Sequence, residues 1–415
     1  MTDERLWSNE KWYTSHWNFN DEVTKFYNFE DKIKFHDVSL RDGEQQSGLV
    51  FNKDQKVQIA EKLAEVGIHR IEAGMPVVHK QDEEAIREIV KRNLGPEIFT
   101  FARCMIDDAK HAIDLGVDGI IMEIPANELM IKHAYRWETQ KAIDAAIKST
   151  KFAHENGLYV TLFMIDFARA DYNYLTSFVD EVEKYGHFDA LACVDTFGSL
   201  NPIASYFMVK RIKERYPNKK IEIHAHDDFG QGAAITIMGL AAGAEVAHTT
   251  ISAIGDRAGN TPYEDVALSL LTCYGKDTGL KYELLYPTSR FLMEMANIDV
   301  RPNRGIIGPD LLKFEAGLVI GWYEKAKESN PLILLPYRAS LTGHPDVTYT
   351  IGKHSGVPTI EYYLKQLHLS ADNKDMVNEI VAAVKEKAFE LGHALNLNQF
   401  EEIAIKYNEQ YEANA

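Results

Sequence analysis

Apolar positions along this chain follow two alternating rhythms. Short runs rich in Val, Ile, Phe and Leu at 32–40, 69–73, 98–104, 119–124, 159–166, 190–195, 220–226 and 247–254 predict strands. Between them, stretches at 53–66, 81–92, 139–156, 173–185, 202–215 and 230–242 repeat with the period of an amphipathic helix. Eight strands with helical crossovers predict an α/β fold, a (β/α)8 TIM barrel over residues 31–285. An open doubly wound sheet is the alternative, but no GxGxxG follows the first strand. A barrel places its chemistry at the carboxyl ends of its strands. Polar residues gather there: Arg41 and Asp42 after the first, Glu72 at the second, Arg103 at the third, Glu123 at the fourth, Asp166 and Arg169 at the fifth, Asp195 and Thr196 at the sixth, His224 and His226 at the seventh.

The flanks differ from this pattern. Residues 1–30 carry Trp7, Trp12, Tyr13, Trp17, Tyr27 and Phe29, too aromatic for a solvated tail, and predict an arm that docks on the barrel or on a second subunit. Residues 286–415 read as a mostly helical region, with helices at 375–391 and 399–407 and a loop Gly352-Lys353-His354-Ser355-Gly356.

Composition adds limits. A net charge of −17 argues against non-specific nucleic-acid binding and requires a local basic pocket for any anionic ligand. Cys104, Cys193 and Cys273 are scattered, which fits reduced thiols in a cytoplasmic enzyme. Neither a signal peptide nor a membrane span is expected.

Two His at spacing two on a strand point to one face, so His224 and His226 can grip one ion, with Asp42 as a carboxylate ligand. Such a set leaves coordination positions open for a chelating substrate, and Mg²⁺, Mn²⁺, Zn²⁺ or Co²⁺ would suit it. The bland alternative is an HxH pair packed in a strand. A 2-oxo acid can chelate a metal, and Arg41 would then stabilise the alkoxide formed on attack at its carbonyl. Thr196 could donate to the carboxylate or could satisfy a turn backbone. Arg103 and Arg169 suggest a second substrate carboxylate, as in oxaloacetate or 2-oxoglutarate; each could instead pair with a neighbour such as Asp166 or Asp171. In Gly255-Asp256-Arg257-Ala258-Gly259-Asn260, Asn260 could approach the metal or cap the next helix.

Several segments together resemble the DRE-TIM metallolyase family, in its 2-isopropylmalate, homocitrate and Re-citrate synthase branch. They are Leu40-Arg41-Asp42-Gly43-Glu44-Gln45, Ile71-Glu72-Ala73-Gly74, Val194-Asp195-Thr196-Phe197-Gly198, His224-Ala225-His226-Asp227-Asp228-Phe229-Gly230, Ala242-Gly243-Ala244, Gly255–Asn260 and Gly352–Gly356. Residues 70–76, 91–95 and 101–105 are similar to the Re-citrate members. The resemblance implies Claisen condensation of acetyl-CoA with a metal-bound 2-oxo acid, citrate or homocitrate being favoured over a 2-isopropylmalate-type product. A carbon–carbon lyase on the same barrel, a catalytically silent binding protein and a biotin-dependent carboxyl transferase are the weaker readings. The resemblance further implies Asp42, His224 and His226 as metal ligands, Arg41 as oxyanion partner, Gln45 and Thr196 as substrate contacts, and a homodimer.

Two departures stand out. The family's Gly-Ile-His appears as Gly317-Leu318-Val319, so its activating His is missing, and the acidic motif of the fifth strand appears as Asp166-Phe167-Ala168-Arg169. Asp166, Glu222 and His354 are the candidates for the base that draws a proton from the thioester. A C-terminal leucine-sensing domain is not expected in so short a chain.

Overall fold

The computed structural model describes residues 5–413; residues 1–4 of the expected arm and 414–415 of the expected C-terminal region lie outside them. Eight parallel strands close a barrel: β1 (Lys34–Asp37), β2 (Arg70–Glu72), β3 (Glu97–Arg103), β4 (Gly119–Pro125), β5 (Tyr159–Ile165), β6 (Ala190–Asp195), β7 (Lys220–Ala225) and β8 (Val246–Thr249). β1 pairs with both β2 and β8, so no edge is left.

The helices between the strands follow from local chemistry. Asn52 and Gln55 form a capping box ahead of Lys53–Val66, and Gly67 ends that helix at φ 93°, a conformation glycine adopts without strain. Asn201 caps Pro202–Arg215, whose Pro needs no backbone donor in the first turn.

Strands β1 and β8 are shorter than their apolar runs. After Asp37 the chain turns, because Ser39 donates its N–H and hydroxyl to the Asp37 carboxylate and Gly43 N–H reaches back to Val38 O. After β8 a short helical turn, Ile251–Ala253, carries Ser252 at φ 58° and Ala253 at φ 62°. Both departures from extended backbone lie at the carboxyl end of the barrel, where polar side chains are re-aimed.

The barrel interior is not purely apolar. Arg70 Nη1 donates to Glu222 Oε1 at 2.8 Å, and His248 Nε2 lies 2.8 Å from Glu222 Oε2. The His248 ring stacks on His36 at 4.5 Å, His36 Nε2 lies 3.0 Å from Glu72 Oε2, and Glu72 accepts from Arg41 Nε. All six side chains are buried. Such a chain is tolerable in low dielectric because each charge has an opposite neighbour.

The chain forms two compact units: His16–Val300 with Gly305–Ile307, and Met1–Ser15 with Arg301–Arg304 and Gly308–Ala415. The aromatic arm therefore divides. In the barrel unit, Asn28 N–H donates to Ala241 O and the Tyr27 ring meets Tyr274 at 5.3 Å. The helix Leu285–Ala296 also belongs to the barrel unit. In the second unit, Trp12 pairs antiparallel with Tyr337, and Tyr13 N–H donates to Pro336 O. There the helices Val357–Gln366, Lys374–Leu391 and Leu397–Glu412 share a core of Ile360, Leu364, Ile380, Val384 and Phe400. The Gly352–Gly356 loop packs on the Gly317 turn: Gly317 N–H donates to His354 O, and a Cβ on Gly317 would lie 2.5 Å from Gly356 N. No helix among the described residues is long and apolar enough to cross a membrane.

Candidate active site

Three buried donors converge at the carboxyl end of the barrel. His224 Nε2 and His226 Nε2 are 3.4 Å apart and lie 3.4 and 3.8 Å from Asp42 Oδ2. His224 ends an inward row of β7 and His226 follows directly; the turn after β1 swings Asp42 to meet them. Gly43 serves this turn through its size: a Cβ there would meet Ile254 Cδ1 at 2.8 Å.

Hydrogen bonding fixes the ring orientation of His226. Its Nδ1 lies 3.1 Å from Gly259 O, which assigns the proton to Nδ1 and leaves the Nε2 lone pair free. Burial pushes the His224 pKa well below its usual value and keeps that ring neutral. For Asp42, burial favours the protonated form, but the Arg41 guanidinium, with the Asn260 bond, outweighs it and holds the carboxylate ionised. An anionic oxygen beside two imidazole nitrogens is a donor set for a divalent cation.

Asn260 joins the group, donating Nδ2 to Asp42 Oδ1 at 3.1 Å. Its Oδ1 is buried without a partner in the protein, an acceptor left over beside the three donors. The Gly-rich loop is built to seat it: a Cβ on Gly255 would fall 2.2 Å from Asn260 Nδ2, and one on Gly259 1.8 Å from Ala253 O.

Arg41 is 7% exposed, donates Nη1 to Asp42 at 2.9 Å and Nε to Glu72, and stacks on Phe101 at 3.9 Å. Its Nη2 is buried and has no partner. A guanidinium edge held rigid on one side and unsatisfied on the other can receive an anion. Gln45 is exposed and shares with Arg41 the lining of a cavity of about 650 Å³ that also includes Leu49, Phe51 and Met75.

The other expected residues divide. Arg103 grips Asp108 with two bonds of 2.9 Å, and Arg169 grips Asp166 at 2.6 and 2.9 Å, so both guanidiniums have carboxylate partners within the protein. Thr196 Oγ1 accepts the backbone N–H of Asp166 at 2.8 Å, the satisfied-turn alternative. Asp166 sits at φ 61° and also accepts from Asn127 at 2.8 Å. Glu222 lies two residues before His224 on β7, wholly buried between Arg70 and His248. Burial raises its pKa, but these partners outweigh burial and bring it down to about 2, so it is a weak base and a structural carboxylate. His354 is exposed in the other unit, where its N–H meets Glu315 Oε1 at 3.1 Å.

Two residues expected at strand ends but given no role there, Glu72 and Glu123, belong to the site. Glu72, at the carboxyl end of β2, holds Arg41. Glu123 accepts a bond of 2.8 Å from Tyr135 Oη; nothing in the apolar rhythm signals Tyr135, which closes a π-helical turn, Ile131–Tyr135. A second His/Asp group, His154, His187 and Asp189, also clusters. Its two rings stack at 3.4 Å and 17°, and His187 Nε2 lies 3.1 Å from Asp189 Oδ1.

The family model described as HMGL-like matches residues 32–292, the barrel and the helix that follows it. The chain belongs to the HMGL-like family. This HMGL-like chain is 33% identical over 385 residues, 93% of its length and 94% of the relative's, to a probable 2-isopropylmalate synthase of Ignicoccus hospitalis. It is 32% identical to homocitrate synthase AksA of Methanothermobacter thermautotrophicus, covering 86% of this chain and 90% of that one. It is 33% identical to (R)-citramalate synthase CimA of Methanocaldococcus jannaschii, covering 85% of this chain and 70% of that one. Among solved structures, the HMG-CoA lyase of Bacillus subtilis superposes with a TM-score of 0.59 at 18% identity, over 66% of this chain and 97% of that one, a likeness of fold.

Proposed function

We propose that this HMGL-like protein condenses acetyl-CoA with a 2-oxo acid and releases a hydroxy diacid and CoA. The observation that carries the reading is the unpartnered Nη2 of Arg41, buried beside Asp42, His224 and His226. A divalent cation held by these three, with Asn260 as a further oxygen donor, supplies Lewis-acid polarisation of the 2-oxo group when bound. Arg41 then faces the oxygen on which charge develops as the thioester carbanion attacks. Glu72 keeps the guanidinium in place, so its orientation is set before substrate arrives. Thr196 retains a hydroxyl proton to offer the substrate carboxylate, since its oxygen serves as acceptor for Asp166.

Oxaloacetate and 2-oxoglutarate, the substrates suggested by Arg103 and Arg169, would have to draw those guanidiniums from Asp108 and Asp166, both buried carboxylates. Leaving a buried carboxylate unpaired is costly. The ring faces of Phe101 and Phe163, 3.9 and 5.9 Å from the Arg41 guanidinium carbon, favour an apolar side chain. We therefore favour a monocarboxylic 2-oxo acid with a small apolar side chain, a 2-isopropylmalate-type or citramalate-type condensation. With Mn²⁺ and acetyl-CoA, such acids should release free thiol faster than oxaloacetate or 2-oxoglutarate. No thiol release with any 2-oxo acid would overturn the condensation; preference for a dicarboxylate would overturn the substrate class alone. The homodimer implied by family resemblance is checked by the mass in solution at micromolar concentration.

A further inference from the structure

The condensation needs a base for the thioester methyl group, and the expected carboxylate candidates are poorly suited. Asp166 is tied to Arg169 and Asn127, and Glu222 has a partner on each oxygen, Arg70 and His248. The barrel offers another carboxylate. Glu123 pairs in register with Arg103 on one side and Phe163 on the other. Parallel partners share a face of the sheet, and Phe163 lies inside against His224. Glu123 therefore faces the interior, near the carboxyl end of β4. Tyr135 holds its Oε1; its Oε2 has no hydrogen-bond or ion-pair partner among the described residues.

We propose, resting on the condensation reading above, that Glu123 is the general base of this chain and that Tyr135 positions it. Glu123 Oε2 takes a methyl proton of the acetyl thioester as the C–H bond breaks. That electron pair forms the new C–C bond to the 2-oxo carbon, and the carbonyl π pair becomes an alkoxide facing Arg41. Glu123 returns the proton to the alkoxide. Water then adds to the thioester carbonyl, the C–S bond breaks, and the thiol leaves.

Charge and burial fit this work. Burial raises the Glu123 pKa above the usual carboxylate value; the Tyr135 bond and the charges of Arg41 and Arg103 oppose this, and Asp108 adds to it. A carboxylate made more basic by burial is suited to proton abstraction. Tyr135 comes from a π-helical turn that Arg136 closes at φ 54°, and such turns recur at functional sites. The turn brings the phenol back over the strand that carries Glu123.

Using the full-length protein with Mn²⁺, the test compares wild type, Glu123→Gln, Glu123→Asp and Tyr135→Phe. It follows thiol release, and deuterium entry into acetyl-CoA in D2O with the best 2-oxo acid. We expect E123Q to lower kcat by about 10²- to 10⁴-fold, to abolish deuterium entry, and to leave 2-oxo acid affinity, read by tryptophan fluorescence, within about threefold. E123D should recover part of the rate. Y135F removes a bond that lowers the Glu123 pKa, so the acidic limb of kcat/KM should move to higher pH. E123Q with undiminished rate and exchange, or Y135F with an unmoved limb, would overturn the assignment while leaving the condensation intact. Wild type without thiol release would overturn both. Unfolding midpoints of the variants separate chemistry from misfolding. If E123Q does not fold, the Y135F limb decides.

Discussion

His226 Nδ1 lies 3.1 Å from the carbonyl oxygen of Gly259, and this contact ties the ring on β7 to the loop after β8. The bond fixes the tautomer, so Nε2 is offered as a lone pair toward Asp42 and His224. Removal of His226, His224 or Asp42 should abolish Mn²⁺ binding at micromolar concentration. Asn260→Ala should weaken it about tenfold, about 1.4 kcal/mol. Calorimetric titration of the four variants checks this, and unchanged binding in H224A would contradict the assigned ligand set.

Glu72 should be required by both the fold and the reaction. Replacement by Gln removes the anion shared by Arg41 and His36. Breaking such a buried pair costs about 3–5 kcal/mol. E72Q should unfold at lower urea, and its surviving activity should fall in kcat more than it changes KM, because Arg41 acts on charge that develops late. A rise in KM with kcat unchanged would place Glu72 outside catalysis.

Two buried groups should each lose their contribution to stability on acidification. Burial lowers the His36 pKa to about 4, with the His248 charge adding and Glu72 opposing. A ring harder to protonate when folded contributes stability at neutral pH that is lost as pH falls from about 6.5 toward 4. Glu222, with its pKa brought down to about 2, contributes stability present above the ordinary Glu value and lost as pH falls from about 4.5 toward 2. Urea midpoints taken from pH 7 to 3 should show both windows. Glu222→Gln should flatten the lower one and His36→Asn the upper.

Gly317→Ala should disturb the second unit. Its Cβ would meet the backbone of Gly356 at 2.5 Å, and backbone has no rotamer by which to yield. Overpacking of this kind costs about 1–3 kcal/mol. The variant should show a lowered or split thermal transition while Mn²⁺ binding in the barrel unit persists. An unchanged transition would mean that the two loops separate without cost.

Much of this site is visible in the sequence because its chemistry sits at fixed register. His224 and His226 share a face by strand alternation, and the apolar rhythm locates all eight strands. What periodicity does not reveal is which charges satisfy one another. Arg103 and Arg169 look available on a strand diagram, yet Arg103 is claimed by an aspartate five residues ahead and Arg169 by one three residues back, at distances set by the local turns. Glu222 is indistinguishable by pattern from a catalytic acid until Arg70, many residues earlier, is seen beside it. Tyr135 depends on a π-helical turn with no rhythm of its own. The aromatic arm looks continuous by composition, but it parts at His16 because pairing of Trp12 with Tyr337 decides where the first stretch belongs.

That pairing has a bearing on biosynthesis. Trp12 is translated before any barrel strand, and Tyr337 only after every one of them. The aromatic stretch must wait for its partner while the whole barrel is made, a long-range closure that local order cannot hasten. Chaperone demand and slow maturation should therefore track this stretch, and shortening it should loosen the later unit.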